Sequence, residues 1–224
     1  MLVKSLPNGN WAVLIPGNSS ALFLYTISGT TGEILQQDVT TNLSTSGLDM
    51  LVYADQSIGI FFYRSNALFY KRYSSTLNLL NGAMELASTS IDFDVVNYKT
   101  GFFVMNQDPQ QFSVTQYNRD GTGAQEVLTF PNPTVGTAII PNLVNLDSHL
   151  LVYYRVTNVP SPYVLLVVHN STSLSYLANY TYDSTYLGTI LDIAPLPNDF
   201  AGRCRVFLVR SSRSAFNKLT RSVL

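Results

Sequence analysis

Short runs of β-branched and aromatic residues recur along the whole chain, and turn residues separate them. No long stretch shows the period of about 3.6 residues, with capping residues at its ends, that marks an amphipathic helix. Runs of about four to eight such residues, bounded by Gly, Pro, Asn, Asp and Ser, are typical of β-strands. The pattern therefore predicts an all-β protein.

Five of these runs follow a tight turn and mark a repeat. They begin at Trp11, Ile60, Phe102, Leu150 and Val206, roughly 40 to 55 residues apart. Another short apolar stretch precedes each run, and one or two further strand-like segments follow it. Units of this length with four strands are typical of β-propeller blades, which must stack because one sheet cannot bury both of its faces alone. We therefore expect a β-propeller of about five antiparallel blades.

The repeat also predicts the domain organisation. We expect a single propeller domain over residues 1–224, with blades at about 1–45, 46–90, 91–135, 136–187 and 188–224. The last unit is short by one strand. The alternative fold is a jelly-roll β-sandwich, which has eight strands and lacks such a repeat.

One segment carries a resemblance to known repeats. Residues 5–14, which read SLPNGNWAVL, resemble the β-propeller repeats of large extracellular and surface proteins, and residues 195–198 partly echo them. The resemblance implies the architecture but no particular functional family. The WD dipeptide, the Kelch double glycine and the integrin-type calcium loop are all absent from the chain.

Composition narrows the class of protein further. Charged residues make up 12% of the chain and hydrophobic residues 46%, with a net charge of −1. Low charge and high apolar content exclude a disordered chain, no apolar run is long enough for a membrane helix, and the single cysteine, Cys204, excludes an internal disulfide. Low charge with many hydroxyl and amide side chains favours an extracellular, cell-surface or virion location, although the N-terminus has no signal-peptide core.

Acidic residues are the first candidates for chemistry. Asp49, Asp94 and Asp192 stand at the starts of predicted first strands, which line the central channel of a propeller. Carboxylates placed there could hold a cation or work as acid and base, as in five-bladed glycosidases. The simpler interpretation is that each Asp caps a strand edge or turn. We therefore expect at most a weak metal site at these residues, and no cofactor.

Basic residues cluster near the C-terminus and are the second candidates. Six of the 13 Lys and Arg residues lie there: Arg203, Arg205, Arg210, Arg213, Lys218 and Arg221. Solvated strand faces explain such residues most simply. They also favour contact with a protein partner, or self-association, through the open edge of the last sheet.

No catalytic motif is evident, because the chain lacks a nucleophile elbow, a phosphate-binding loop and metal-ligand spacing around His149 or His169. The expected function is a non-enzymatic recognition or structural module of an extracellular or surface assembly. Carbohydrate is a second candidate partner, whereas nucleic acid is not expected. Two alternatives stay open: a viral capsid or other shell-forming protein, and a small glycosidase-like propeller enzyme that uses the aspartates.

Overall fold

The computed structural model describes residues 1–17, 21–40, 47–90, 92–131, 137–146, 149–161, 163–183, 190–195, 205–210 and 220–222. Every regular element in these ranges is a β-strand, which confirms the predicted all-β class. A helix long and apolar enough to cross a membrane does not occur in them. The chain forms two compact units, Met1–Pro131 and Asn132–Leu224.

The first unit contains three antiparallel sheets of four strands each. The first sheet contains β1 (Leu2–Ser5), β2 (Trp11–Pro16), β3 (Leu22–Ile27) and β4 (Ile34–Thr40). The second contains β5 (Leu48–Val52), β6 (Ile58–Arg64), β7 (Ala67–Tyr73) and β8 (Leu79–Ala87). The third contains β9 (Asp92–Tyr98), β10 (Gly101–Gln107), β11 (Gln111–Asn118) and β12 (Gln125–Pro131).

The second unit contains two further sheets. The fourth sheet contains β13 (Thr137–Leu146), β14 (His149–Thr157), β15 (Tyr163–Asn170) and β16 (Tyr176–Asp183). The fifth contains β17 (Ile190–Pro195), β18 (Arg205–Arg210) and β19 (Thr220–Ser222). Residues 211–219 lie outside the described part of the chain.

Strand order identifies the architecture. In every sheet, strands that are neighbours in space are neighbours along the chain, and all pairs are antiparallel. A jelly roll instead pairs strands that are distant in sequence. A four-stranded meander repeated along the chain is the propeller blade, so the chain has the predicted β-propeller architecture. The grouping of five blades into one domain, with the limits given above, stays a prediction.

The first core lies between the first and second sheets. Leu14 of β2 pairs with Leu24 of β3, and both are buried against Met50, Ile60 and Phe62 of the second sheet. Successive side chains of a strand point to opposite faces, so these residues share one face of each sheet. The alternation of apolar residues in β3 therefore determines which face of the first sheet packs against the second sheet.

The second core lies between the second and third sheets, and aromatic rings dominate it. Phe61, Tyr70, Phe102 and Tyr117 all belong to this cluster. The ring centre of Phe102 lies 5.2 Å from that of Phe61, 4.9 Å from Tyr70 and 5.3 Å from Tyr117, separations typical of favourable ring pairs. The middle strand β6 is buried on both faces because it has a sheet on either side, which explains its unbroken apolar run from Ile58 to Tyr63.

The first strands of the three sheets lie side by side. β5 packs against β1 on one side and β9 on the other. The Nδ2 of Asn97 in β9 donates a hydrogen bond of 2.9 Å to the carbonyl oxygen of Val52 in β5. Each of these strands is an edge strand of its own sheet, so one edge of each is open where the candidate site forms.

Candidate functional site

Two carboxyl groups meet on the neighbouring first strands β5 and β9. Asp49 is the second residue of β5 and Asp94 the third residue of β9, and a hydrogen bond joins their carboxyl groups. The amide of Met50 donates to Asp49 Oδ1 over 2.7 Å, and the amide of Val95 donates to Asp94 Oδ1 over 2.9 Å.

The open edges of β5 and β9 explain why aspartates stand there. An edge strand has amide groups without a partner strand, and each of them needs an acceptor. Asp92, two residues before Asp94, accepts in the same way from the amide of Phe93 over 2.9 Å. Each of these side chains thus folds back onto the amide of the next residue. Asp49 and Asp94 thus cap amides at strand edges, and these hydrogen bonds fix the positions of their carboxyl groups.

Burial makes the Asp49 carboxyl group a weaker acid than an exposed aspartate. Burial raises the pKa of Asp49 above its ordinary value, against the opposing effects of the Met50 amide and of the Lys4 ammonium group. The pKa of Asp92 is also raised by burial. Two carboxylates in direct contact repel each other strongly when both are charged, so the pair retains one proton to a higher pH than an isolated carboxyl group does.

The candidate residues from the sequence differ in where the structure places them. Asp49 and Asp94 come together, whereas the side chain of Asp192, on β17, lies outside the described part of the chain. In the described residues, no group of three or more His, Cys, Asp or Glu side chains could hold a metal ion.

The C-terminal basic cluster stays a prediction. Arg203, Arg213 and Lys218 lie outside the described residues. Arg205 and Arg210 lie on β18 and Arg221 on β19, and only their backbone is described.

Sequence reasoning missed a polar cluster that joins the second and third sheets. Asp55, in the turn between β5 and β6, binds Arg72 Nη2 at 2.8 Å and Arg119 Nη1 at 2.7 Å through its Oδ2 atom. Both guanidinium groups lie over the ring of Tyr53, at 5.9 Å and 5.4 Å from its centre. The residues are far apart in sequence and follow no motif, so no sequence signal could have found the cluster.

A pair of tyrosines contacts this cluster. The hydroxyl groups of Tyr53 and Tyr70 lie 3.1 Å apart, and the Tyr70 hydroxyl donates to the carbonyl oxygen of Arg119 over 2.7 Å. Burial raises the pKa of Tyr70 to about 12, so the hydroxyl remains a donor at neutral pH. Because Asp55 already binds both arginines, we interpret the cluster as a clamp between sheets.

The clamp gives stability that depends on pH. Burial opposes ionisation of Asp55, but hydrogen bonds from Ser57 and Arg119 outweigh it and lower its pKa to about 2 from 3.8. Since the side chain is 41% exposed, we expect Asp55→Asn to lower the free energy of unfolding by only about 1 kcal/mol at pH 7.

Because the pKa of Asp55 is lower in the folded protein than in the unfolded chain, ionised Asp55 stabilises the fold at pH values above its ordinary pKa. That stability is lost as the pH falls from about 4 to about 2. Urea unfolding at several pH values tests this prediction, with Asp38→Asn on β4 as the control. The difference between the wild type and Asp55→Asn should shrink over that acid range. A constant difference at every pH would contradict the assignment.

Comparison with known proteins supports the fold. No known sequence family matches the chain, and no curated protein sequence matches it. Among solved structures, the Dos1 propeller matches with a TM-score of 0.58 at 12% identity over 92% of this chain and 53% of that one. The exo-β-1,3-galactanase of Phanerochaete chrysosporium matches with a TM-score of 0.55 at 11% identity, over 93% of this chain and 56% of the enzyme. The chain thus spans about half of the length of both structures.

An endo-1,4-β-xylanase of Bacteroides thetaiotaomicron has the same fold, with a TM-score of 0.52 at 11% identity over 92% of this chain and 82% of the enzyme. At these identities the likeness shows the fold alone. The prediction that the protein is not an enzyme is nevertheless wrong. It was based in part on the propeller architecture, and glycoside hydrolases have the same architecture. The lack of a local catalytic motif therefore does not exclude an enzyme.

Proposed function

We propose that this propeller acts on a carbohydrate as a glycoside hydrolase and that the Asp49–Asp94 pair is the proton-donating part of its site. The observation that carries the proposal is the contact between the two carboxyl groups on adjacent first strands. Glycoside hydrolysis requires an acid whose proton is retained at working pH, and a proton shared between two half-buried carboxyl groups meets that requirement. The fold shared with a galactanase and a xylanase supports the same reaction class.

The geometry also limits how the pair can work. The two carboxyl groups of a glycosidase usually stand about 5 to 9.5 Å apart on opposite sides of the bond that is cleaved. Asp49 and Asp94 are hydrogen-bonded, so they act as one acid and not as the two opposed groups. A second carboxylate must come from another strand.

A substrate screen with matched variants tests the proposal. We expect the wild type to release reducing sugar from β-1,3-galactan, β-1,4-xylan or a related polysaccharide, with activity that falls as rising pH removes the shared proton. Asp94→Asn should lower kcat by at least about 100-fold, the usual contribution of a general acid. Asp38→Asn, a like substitution on the outermost strand of the first sheet, should keep full activity.

Two results would overturn the proposal. One is a wild-type protein that hydrolyses nothing in the panel. The other is hydrolysis that persists unchanged in both Asp49→Asn and Asp94→Asn, which would place the chemistry elsewhere. An extracellular or surface location is part of the same proposal, and the low charge of the chain supports it.

A further inference from the structure

An asparagine on the outermost strand of the second sheet is placed for a chemical change of its own. We propose that Asn81 undergoes spontaneous deamidation through the amide nitrogen of Gly82, and that the carboxylate it gains binds Arg72 of the clamp. The only co-reactant is solvent water. The reaction belongs to the folded chain and does not depend on the proposed function.

The chain contains two Asn-Gly dipeptides, Asn8–Gly9 and Asn81–Gly82. Deamidation begins when the amide nitrogen of the next residue attacks the asparagine side chain. Glycine favours this step because it has no side chain to hinder its nitrogen and its backbone is conformationally free. Both dipeptides offer the same reacting atoms, so the surrounding fold determines which of them reacts.

Hydrogen bonds hold the first dipeptide in a closed turn. The amide of Gly9 donates to the carbonyl oxygen of Leu6 over 3.0 Å. Asn8 Oδ1 accepts from the amide of Asn10 over 3.1 Å. One bond holds the nitrogen that attacks, and the other holds the group that it attacks. Because these bonds must break before the reacting atoms can meet, the turn slows deamidation at Asn8.

The second dipeptide lies at a β-bulge on an outer strand. The register of β7 and β8 shifts between Tyr70 and Arg72, and Gly82 lies within this bulge. A bulged residue leaves the regular hydrogen-bond ladder. Gly82 is exposed, and a Cβ atom built on it meets no atom within 4 Å. Among the described residues, no hydrogen bond holds the Asn81 side chain, so it is free to approach the Gly82 nitrogen.

The reaction joins the Gly82 nitrogen to the Asn81 side chain. The nitrogen gives up its proton and attacks Cγ. A C–N bond forms, the Cγ–Nδ2 bond breaks, and Nδ2 leaves with that proton as ammonia. Water then adds to one of the two carbonyl carbons of the succinimide ring and opens it to an aspartyl or an isoaspartyl residue. Nothing is oxidised or reduced, and both products carry one new carboxylate.

The new carboxylate forms opposite Arg72. Asn81 is the cross-strand partner of Arg72, and paired residues have their side chains on the same face. Arg72 binds Ser57 through Nε over 3.0 Å and Asp55 through Nη2 over 2.8 Å. Its Nη1 atom binds neither of them and can donate a charge-assisted hydrogen bond to a carboxylate at position 81. Deamidation therefore gives Arg72 a second acid and makes it less dependent on Asp55.

Peptide mapping by mass spectrometry tests the reaction in the folded protein. The protein is incubated at mildly alkaline pH in water enriched in oxygen-18 and digested in ordinary water, so only deamidation during the incubation incorporates the label. We expect Asn81 to react at least about fivefold faster than Asn8, the factor that corresponds to one hydrogen bond that must break. Gly82→Ala should slow the reaction at Asn81 and leave Asn8 unchanged.

The unfolded chain is the matched control for the effect of the fold. In concentrated urea the two rates should become similar, because neither the turn nor the bulge remains. Equal rates at Asn8 and Asn81 in the folded protein would contradict the proposal. A ratio of rates that is the same with and without urea would also contradict it, since the local sequence would then explain the difference.

Asn81→Asp carries the product carboxylate and tests its contact with Arg72. In urea unfolding at neutral pH, Asp55→Asn should cause a smaller loss of stability in Asn81→Asp protein than in the wild type, because Arg72 keeps one carboxylate. Gln36→Glu, which adds a carboxylate on β4 of the first sheet, is the control and should leave that loss unchanged. An equal loss in all three backgrounds would show that the new carboxylate does not bind Arg72.

Discussion

Replacing Phe102 by alanine is expected to lower the free energy of unfolding of the first unit by about 4 kcal/mol, the usual loss for a fully buried phenylalanine. Phe102 is completely buried, and its ring contacts Phe61, Tyr70 and Tyr117 from three strands of two sheets. These aromatic side chains are held on strands and cannot fill the space that the ring leaves. Most of the cavity would therefore remain open.

Urea unfolding followed by Trp11 fluorescence measures this loss, because Trp11 belongs to the first unit. Phe102→Leu is the first control and should cost less than about 1.5 kcal/mol, since it retains most of the volume. Phe23→Ala on β3 is the second, and it should cost less than Phe102→Ala because Phe23 is only half-buried. A loss below about 1 kcal/mol for Phe102→Ala would show that the second and third sheets are not packed as described.

The second large effect is expected at Gly101, the first residue of β10. This residue pairs with Tyr98 on one side and Asn118 on the other. A Cβ atom at this position would overlap the carbonyl oxygen of Tyr117 in β11, and that atom belongs to the backbone. Two flanking strands hold the position, so Gly101→Ala forces them apart. We expect a loss of about 3 kcal/mol or more, the size seen when backbone strain disrupts a core strand.

Gly82→Ala on β8 is the matched control for this substitution. A Cβ atom at Gly82 meets no other atom within 4 Å. Its effect on stability should stay within about 0.5 kcal/mol. Thermal unfolding of the two variants beside the wild type distinguishes them directly. Equal melting temperatures for all three proteins would contradict the close approach of β10 and β11 at this point.

The strands and their grouping could be predicted from sequence because they depend on local patterns. Phe102 begins an apolar run after the turn at Lys99 and Thr100, and the structure places it on β10 as expected. Alternation of apolar residues along a strand determines which of its faces is buried, and recurrence of the pattern predicts stacked sheets. The same reasoning placed Asp49 and Asp94 at the starts of their first strands.

The expectation of a non-enzymatic protein failed for a related reason. It relied on contiguous motifs, which detect catalytic groups that are close in sequence. Asp49 and Asp94 are separated by a whole blade, so only the packing of β9 beside β5 brings their carboxyl groups together. A site of this kind leaves no local signature in the chain.

The sequence by itself determined the all-β class, the repeat of four-stranded units and the burial of alternate residues, because each depends on neighbours a few positions away. Only the tertiary structure decided that Asp49 shares a hydrogen bond with Asp94. It alone also joined Asp55 to Arg119, across 64 residues of chain. These contacts arise where separate sheets meet, and their geometry follows from how the sheets pack, which no spacing along the chain encodes.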